Sequence, residues 1–97
     1  MHAPRLVIRD NAEARRYEAV LGDEVVGFIG YHLRPGLLTA LSVEVDPAFE
    51  GQGVGSVLAG GMLDDLRARG LSVQPFCPFV RTFIRQHPDY ADLLGAA

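Results

Sequence analysis

The feature that most restricts what this chain folds into is the run Val43-Glu44-Val45-Asp46-Pro47-Ala48-Phe49-Glu50-Gly51-Gln52-Gly53-Val54-Gly55-Ser56-Val57-Leu58. It reads as the end of a strand, a stop at Pro47, a loop with glycine at every second position, and the first turn of an amphipathic helix. The helix continues over residues 54–69, where Val54, Val57, Leu58, Met62 and Leu66 recur at three- and four-residue spacing, and Gly70 stands where a C-terminal cap belongs. Residues 71–75 read as a short strand. Strand, helix and strand make a βαβ unit, which sets Val43 and Val45 beside Val73 in parallel.

Three glycines in five residues let the backbone turn sharply and bring N–H groups close to a ligand, because no Cβ intervenes. A loop that opens a helix also aims unpaired N–H groups and the positive end of the helix dipole at one spot. Such a spot suits a phosphate or pyrophosphate, although loops of this kind also serve as plain tight connections. Two phosphate loops are excluded by spacing. A P-loop needs a lysine, and the chain has none. The dinucleotide pattern G-x-G-x-x-G fails at Ser56 when counted from Gly51 and at Leu58 when counted from Gly53.

The 97 residues are expected to form one domain over 1–97. Hydrophobic residues make up 48% and charged residues 22%, a balance that favours an ordered, soluble chain. No apolar run approaches the roughly 20 residues of a membrane span, and no secretory leader is evident. One cysteine allows no internal disulfide, which suits a reducing compartment, so a cytoplasmic protein is expected. The net charge of −3 argues against a nucleic-acid partner.

Before the glycine loop, residues 5–9 form a β-type run closed by Asp10-Asn11. Residues 15–21 and 24–33 flank the turn pair Gly22-Asp23 as a hairpin. A helix over residues 12–21 competes, since Ala, Glu and Arg are good helix formers. Arg34-Pro35-Gly36 is a turn, and residues 37–45 alternate, with Leu41, Val43 and Val45 on one face and Ser42 and Glu44 on the other. After the loop unit, Pro78 starts a helix with the stripe Phe79, Val80, Phe83 and Ile84, ended by Gln86-His87-Pro88. Residues 89–94 form a short tail, and Gly95-Ala96-Ala97 are expected to fray. The fold class is α/β, an α+β mixed sheet with antiparallel N-terminal strands, a βαβ unit and a C-terminal helix.

Cys77 falls at the N-cap of that last helix, where the dipole favours the thiolate, and just past a strand end beside the glycine loop. Buried small hydrophobe is its other reading. Glu44 is the candidate base, or an exposed strand residue. The ring row Phe76, Phe79 and Phe83 reads as core. Arg81 and Arg85 lie one turn apart, either near enough to meet a phosphate or simply solvated. His2, His32 and His87 have no metal-ligand spacing, so no metal is expected.

Taken together, the glycine loop, Cys77-Pro78-Phe79-Val80 and His87-Pro88-Asp89-Tyr90 resemble small single-domain GNAT-like proteins of the Yjdj-type N-acetyltransferase group. The loop is similar to the GNAT pattern [Q/R]-x-x-G-x-[G/A], with Gly53 and Gly55 as its glycines and Glu50 in place of the usual Arg or Gln. The resemblance implies a compact GNAT-like acyl-CoA N-acyltransferase fold lacking the usual first helices, and binding of coenzyme A or acetyl-CoA. Gly51, Gln52, Gly53, Val54, Gly55 and Ser56 would hold the pyrophosphate, and Val43 and Val45 the pantetheine arm; Arg81 joins the candidate coenzyme-binding residues by its position on the Cys77 helix alone. Cys77 matches a cysteine regarded as a possible acetyl acceptor. Where the family reads H-T-E-V, this chain has Ser42-Val43-Glu44-Val45, which leaves Glu44 as the base. The expected activity is transfer of acetyl to a primary amine of unknown identity, with a Val45 N–H as oxyanion donor. A non-catalytic coenzyme A or acyl-CoA module and a small interaction domain are the alternatives. With only Asp10 to Ala14 between the first strands, the acceptor side should be shallow, or completed by a partner such as a second copy of the chain.

Overall fold

The computed structural model describes residues 5–95. The strands are β1 (Leu6–Asn11), β2 (Arg16–Leu21), β3 (Glu24–Arg34), β4 (Leu37–Val45) and β5 (Ser72–Pro75), and the helices are α1 (Val54–Arg69) and α2 (Pro78–Gln86). Single 3₁₀ stretches occupy Pro47–Phe49 and Pro88–Leu93. The five strands lie in sequence order, antiparallel from β1 to β4 and parallel between β4 and β5. No helix forms over residues 12–21. Asn11 Oδ1 accepts the Ala14 N–H instead, Arg15 turns to φ 58°, and Tyr17 and Ala19 become buried strand residues.

One face of the sheet carries α1. Leu58, Ala59, Met62, Leu63 and Leu66 are fully buried in one cluster with Tyr17, Ile29, Leu38, Ala40 and Val73. The helical stripe sits slightly off its expected position, for Leu63 is inside while Val57 is 44% exposed. Polar bonds anchor the C-terminal end of α1. Tyr17 Oη donates to Asp65, Tyr31 Oη donates to Asp10, and Arg69 Nη1 reaches Asp10, Asp65 and Tyr17. Burial first, and then the Asp10 carboxylate, push the Tyr31 hydroxyl up to about 12.

A bulge divides β4. Gly30 pairs with Ser42 and Tyr31 with Ala40, which leaves Leu41 without a partner on β3. Leu38 and Ala40 point into the core before it, and Val43 and Val45 pack against the core after it. Leu41 is 47% exposed and does not share their face, contrary to simple alternation.

The row Phe76, Phe79 and Phe83 is not all core either. Phe76 and Phe79 are exposed, and only Phe83 is buried, stacked on His87 at 4.1 Å. Past α2 the chain returns to β5, where Leu94 bridges Val73 and the Gly95 N–H donates to Val73 O at 2.9 Å. Gly95 is therefore tied down rather than frayed. A Cβ there would stand 2.8 Å from Ser72 Cβ. Ala96, Ala97 and His2 lie outside the described residues.

Candidate active site

Strands β4 and β5 run together only from Leu37–Ser72 to Ala40–Pro75. Pro75 has no N–H to continue the ladder, and the last tie is the Cys77 N–H to Ala40 O at 3.0 Å. Beyond it the chain turns away into α2 and β4 continues alone. Asp46 N–H donates to Val26 O on β3 at 2.8 Å. By antiparallel alternation, Ser42 and Glu44 also direct their main-chain groups to β3, and those of Val43 and Val45 face the gap.

The gap is the mouth of a cleft of about 650 Å³, lined by Leu41, Ser42, Val43 and Val45, by Phe49 to Gly51, by Gly53 to Ser56, and by Cys77, Pro78 and Phe79. The loop across its end is built by local rules. Asp46 Oδ1 accepts the Ala48 N–H at 2.9 Å and caps the 3₁₀ turn that stops β4. Gly51 and Gly53 then take φ of 80° and 81°, a region that side chains rarely enter. A Cβ on either would meet nothing within 4 Å, so their surroundings are open.

Gly53 is the N-cap of α1 and gives it no side-chain cap. The Val57 N–H is the first to find its helical partner, Gly53 O at 3.1 Å, which leaves the N–H groups of Val54, Gly55 and Ser56 without intrahelical acceptors. No acidic residue sits in this first turn. Gly55 has a second reason to be glycine, because a Cβ would stand 2.9 Å from Phe79 Cζ. Its bare backbone admits the Phe79 ring that walls the cleft, a long-range contact with no signal in the loop's own sequence.

The expected site residues divide into groups. Val43, Val45, Gly51, Gly53, Val54, Gly55, Ser56 and Cys77 line the cleft, and Cys77 is buried at the N-cap of α2. Gln52 is exposed in the loop and is not part of the lining. Arg81 is elsewhere, beside Pro75, Ile84 and Arg85 in a separate hollow. Glu44 is exposed and faces the side of β4 opposite Val43 and Val45, next to its cross-strand partner Phe28. There it lines a second pocket of about 390 Å³ with Arg16, Val25, Val26, Phe28 and Asp46.

Sequence reasoning did not find the polar cluster beside that second pocket. Glu18 is 1% exposed, and its carboxylate accepts from Arg9 Nε at 3.0 Å, Asn11 Nδ2 at 3.0 Å and Arg16 Nε at 2.8 Å. Burial works to raise its pKa, but the bonds from Arg16, Asn11 and Arg9 prevail and hold it below the ordinary glutamate value. The Arg16 guanidinium stacks over Phe28, 4.3 Å from the ring centre. The available signal was charge alternation, with Arg9, Asn11, Arg16 and Glu18 all at outward strand positions. Among the described residues, no group of three His, Cys, Asp or Glu side chains is arranged to hold a metal.

A family model described as GCN5-related N-acetyl-transferase matches residues 16–93. No functionally curated protein matches the sequence. Among solved structures, the ribosomal-protein-S18-alanine N-acetyltransferase from Escherichia coli aligns at TM-score 0.55 and 19% identity, over 74% of this chain and 42% of that one. The ribosomal-protein-alanine N-acetyltransferase from Brucella melitensis biovar Abortus 2308 aligns at TM-score 0.58 and 15% identity, over 99% of this chain and 94% of that one. The chain thus spans less than half of the first relative, and identities this low speak for the shared fold. With a five-stranded mixed sheet, a crossover helix opening on a glycine loop, and a family match across most of its length, the chain belongs to the GCN5-related N-acetyltransferases.

Proposed function

We propose that this domain transfers an acetyl group from acetyl-coenzyme A to a primary amine. The observation that carries the proposal is the junction of two sets of unused main-chain donors. Val43 and Val45 face the gap between β4 and β5, and the uncapped start of α1 stands at its end. A pyrophosphate fits the open space over Gly51 and Gly53 and the free N–H groups of Val54, Gly55 and Ser56. The carboxylate of Glu50, also at the cleft, adds no counter-charge, so the backbone carries this contact. The main chain of Val43 and Val45 holds an extended amide-bearing arm as a strand neighbour would, with the walls of Phe49, Pro78 and Phe79 excluding water. The bound thioester supplies an activated acyl carbon.

The amine nitrogen attacks that carbon, a C–N bond forms, the C–S bond breaks, and the coenzyme thiolate leaves and takes up a proton. The Val45 N–H donates to the carbonyl oxygen as negative charge develops there. Glu44, on the other face of β4, accepts the proton released by the amine, directly or through water. Cys77 lines the cleft on the α1 side, across the strand from Glu44. This separation favours one-step transfer over a route through a Cys77 thioester. The reaction suits the cytoplasm, where acyl-coenzyme A and reduced thiols coexist.

Calorimetric titration with acetyl-CoA and with coenzyme A, beside Gly53→Asp, tests the site. Binding by the wild type that the variant loses is the expected result, with no lasting mass gain on the protein. Absence of binding by the wild type removes the acetyltransferase proposal. A gain of one acetyl group that disappears in Cys77→Ala would replace the one-step route by the covalent one. Binding without turnover on any amine would leave a coenzyme A module.

A further inference from the structure

The second pocket, on the face of the sheet away from α1, holds a preformed cation beside the candidate base. Arg16 and Glu44 both line it, one on each side of the Phe28 ring. Arg16 is unusually fixed for an arginine on a strand. Its Nε donates to the buried Glu18, its guanidinium carbon sits over the Phe28 ring, and its side chain is only 33% exposed. Neither terminal nitrogen has a hydrogen-bond partner among the described residues. Glu18 alone does not cancel the charge of Arg16, because Arg9 shares it, and the Glu44 carboxylate, on the far side of Phe28, is left for the ammonium end of a ligand. Asp46, also on the pocket wall, turns its Oδ1 to the Ala48 N–H.

We propose that this pocket is the acceptor subsite and that it takes an amine that also carries a carboxylate, of the size of a free amino acid. The proposal rests on the acetyltransferase reading above. The two terminal N–H groups of Arg16 match the two oxygens of a carboxylate, and the Glu18 bond and the Phe28 stack hold the guanidinium in place beforehand. With the carboxylate docked there, the ammonium of the same molecule lies toward Glu44, its proton acceptor. The apolar sides of Val25 and Phe28, both only partly buried, receive a hydrocarbon side chain. The pocket volume of about 390 Å³ admits a molecule of that kind.

The test compares leucine, leucinamide and isoamylamine as acceptors at one pH, with wild type, Arg16→Gln and Arg16→Lys. Melting by circular dichroism shows that each variant is folded. A charged bidentate contact predicts a KM for leucine ~10- to 100-fold below that for leucinamide, with the ratio collapsing towards one in Arg16→Gln. Arg16→Lys keeps a cation for Glu18 but not the fork, so the preference falls several-fold there, and this variant decides the matter if Arg16→Gln is unstable. In the protein without acetyl-CoA, leucine should shift the amide resonances of Arg16, Phe28 and Glu44. Equal use of the three amines, or a leucine preference that survives in the Arg16 variants, overturns the subsite. No turnover with any amine overturns the acetyltransferase reading and the subsite together, whereas turnover without preference for the carboxylate overturns the subsite alone.

Discussion

Gly60 and Gly61 are consecutive in α1, yet alanine should stabilise the protein at the first and not at the second. In a helix interior, Gly→Ala gains up to about 1 kcal/mol from lost backbone freedom in the unfolded chain and better propensity. At Gly60 the new Cβ would meet only Phe83 Cζ, at an ordinary contact distance of 3.6 Å. Gly60→Ala should therefore stabilise by about 0.5–1 kcal/mol. At Gly61 the Cβ would stand 2.8 Å from Ile8 Cγ1, 2.9 Å from Ile8 Cβ and 3.0 Å from Ile8 Cγ2. The Ile8 Cβ is tied to the backbone of β1, and a χ1 rotation cannot move it away. Either α1 must lift from the sheet or β1 must shift, an overpacking cost of about 1–3 kcal/mol. Set against the propensity gain, Gly61→Ala should range from neutral to about 2 kcal/mol destabilising. The two variants then differ by about 1–3 kcal/mol, which for a domain of this size separates their melting temperatures by at least about 4 °C. Thermal melts and urea titrations followed by circular dichroism measure the difference. A Gly61→Ala protein that melts as high as Gly60→Ala would refute the claim that α1 lies against β1 by virtue of that missing side chain.

Other consequences concern chemistry and pH. Glu44→Gln should lower kcat by roughly 10²- to 10⁴-fold while leaving the calorimetric affinity for acetyl-CoA unchanged; a matching loss of affinity would place Glu44 in binding instead. Tyr31 ionises near pH 10 when unfolded and near pH 12 when folded, so its contribution is complete below pH 10 and is lost as pH rises through 12. Urea midpoints should fall across that window, and less steeply in Tyr31→Phe. Glu18 has the opposite sense. Its folded pKa lies below the unfolded value, so its contribution is present above about pH 4.5 and is lost as pH falls through the lower folded value. Glu18→Gln should cost about 1–3 kcal/mol at neutral pH, read from urea unfolding, because two arginines then share no carboxylate.

Most element boundaries were legible because local chemistry sets them. Pro47 and Pro78, the turn glycines Gly22 and Gly36, and the cap glycines Gly53 and Gly70 punctuate the chain where periodicity changes. Alternation correctly put Glu44 opposite Val43 and Val45. What was not legible depends on partners distant in sequence. The bulge at Leu41 exists only in the pairing with β3, the exposure of Phe76 and Phe79 only in how the chain around the start of α2 meets the sheet and α1, and the close contact of Gly55 only with Phe79. Gly95 looked like a loose end because nothing near it in sequence shows that Val73 O lies waiting. Arg81 was placed near the cleft because its helix starts there, whereas the packing of α2 puts it beside Pro75, Ile84 and Arg85.

The free stretch of β4 is also a sheet edge, and edges ordinarily invite other strands. Here the edge is recessed between α1 and α2 instead of lying on the rim of the sheet. A strand from another molecule would bring side chains on both of its faces and could not pass Phe79 and the start of α1. A slender chain with few branches could lie along it and complete the hydrogen bonding that β5 abandons at Pro75. The walls that line the opening thus also shield an unfinished sheet from the strand addition that drives aggregation.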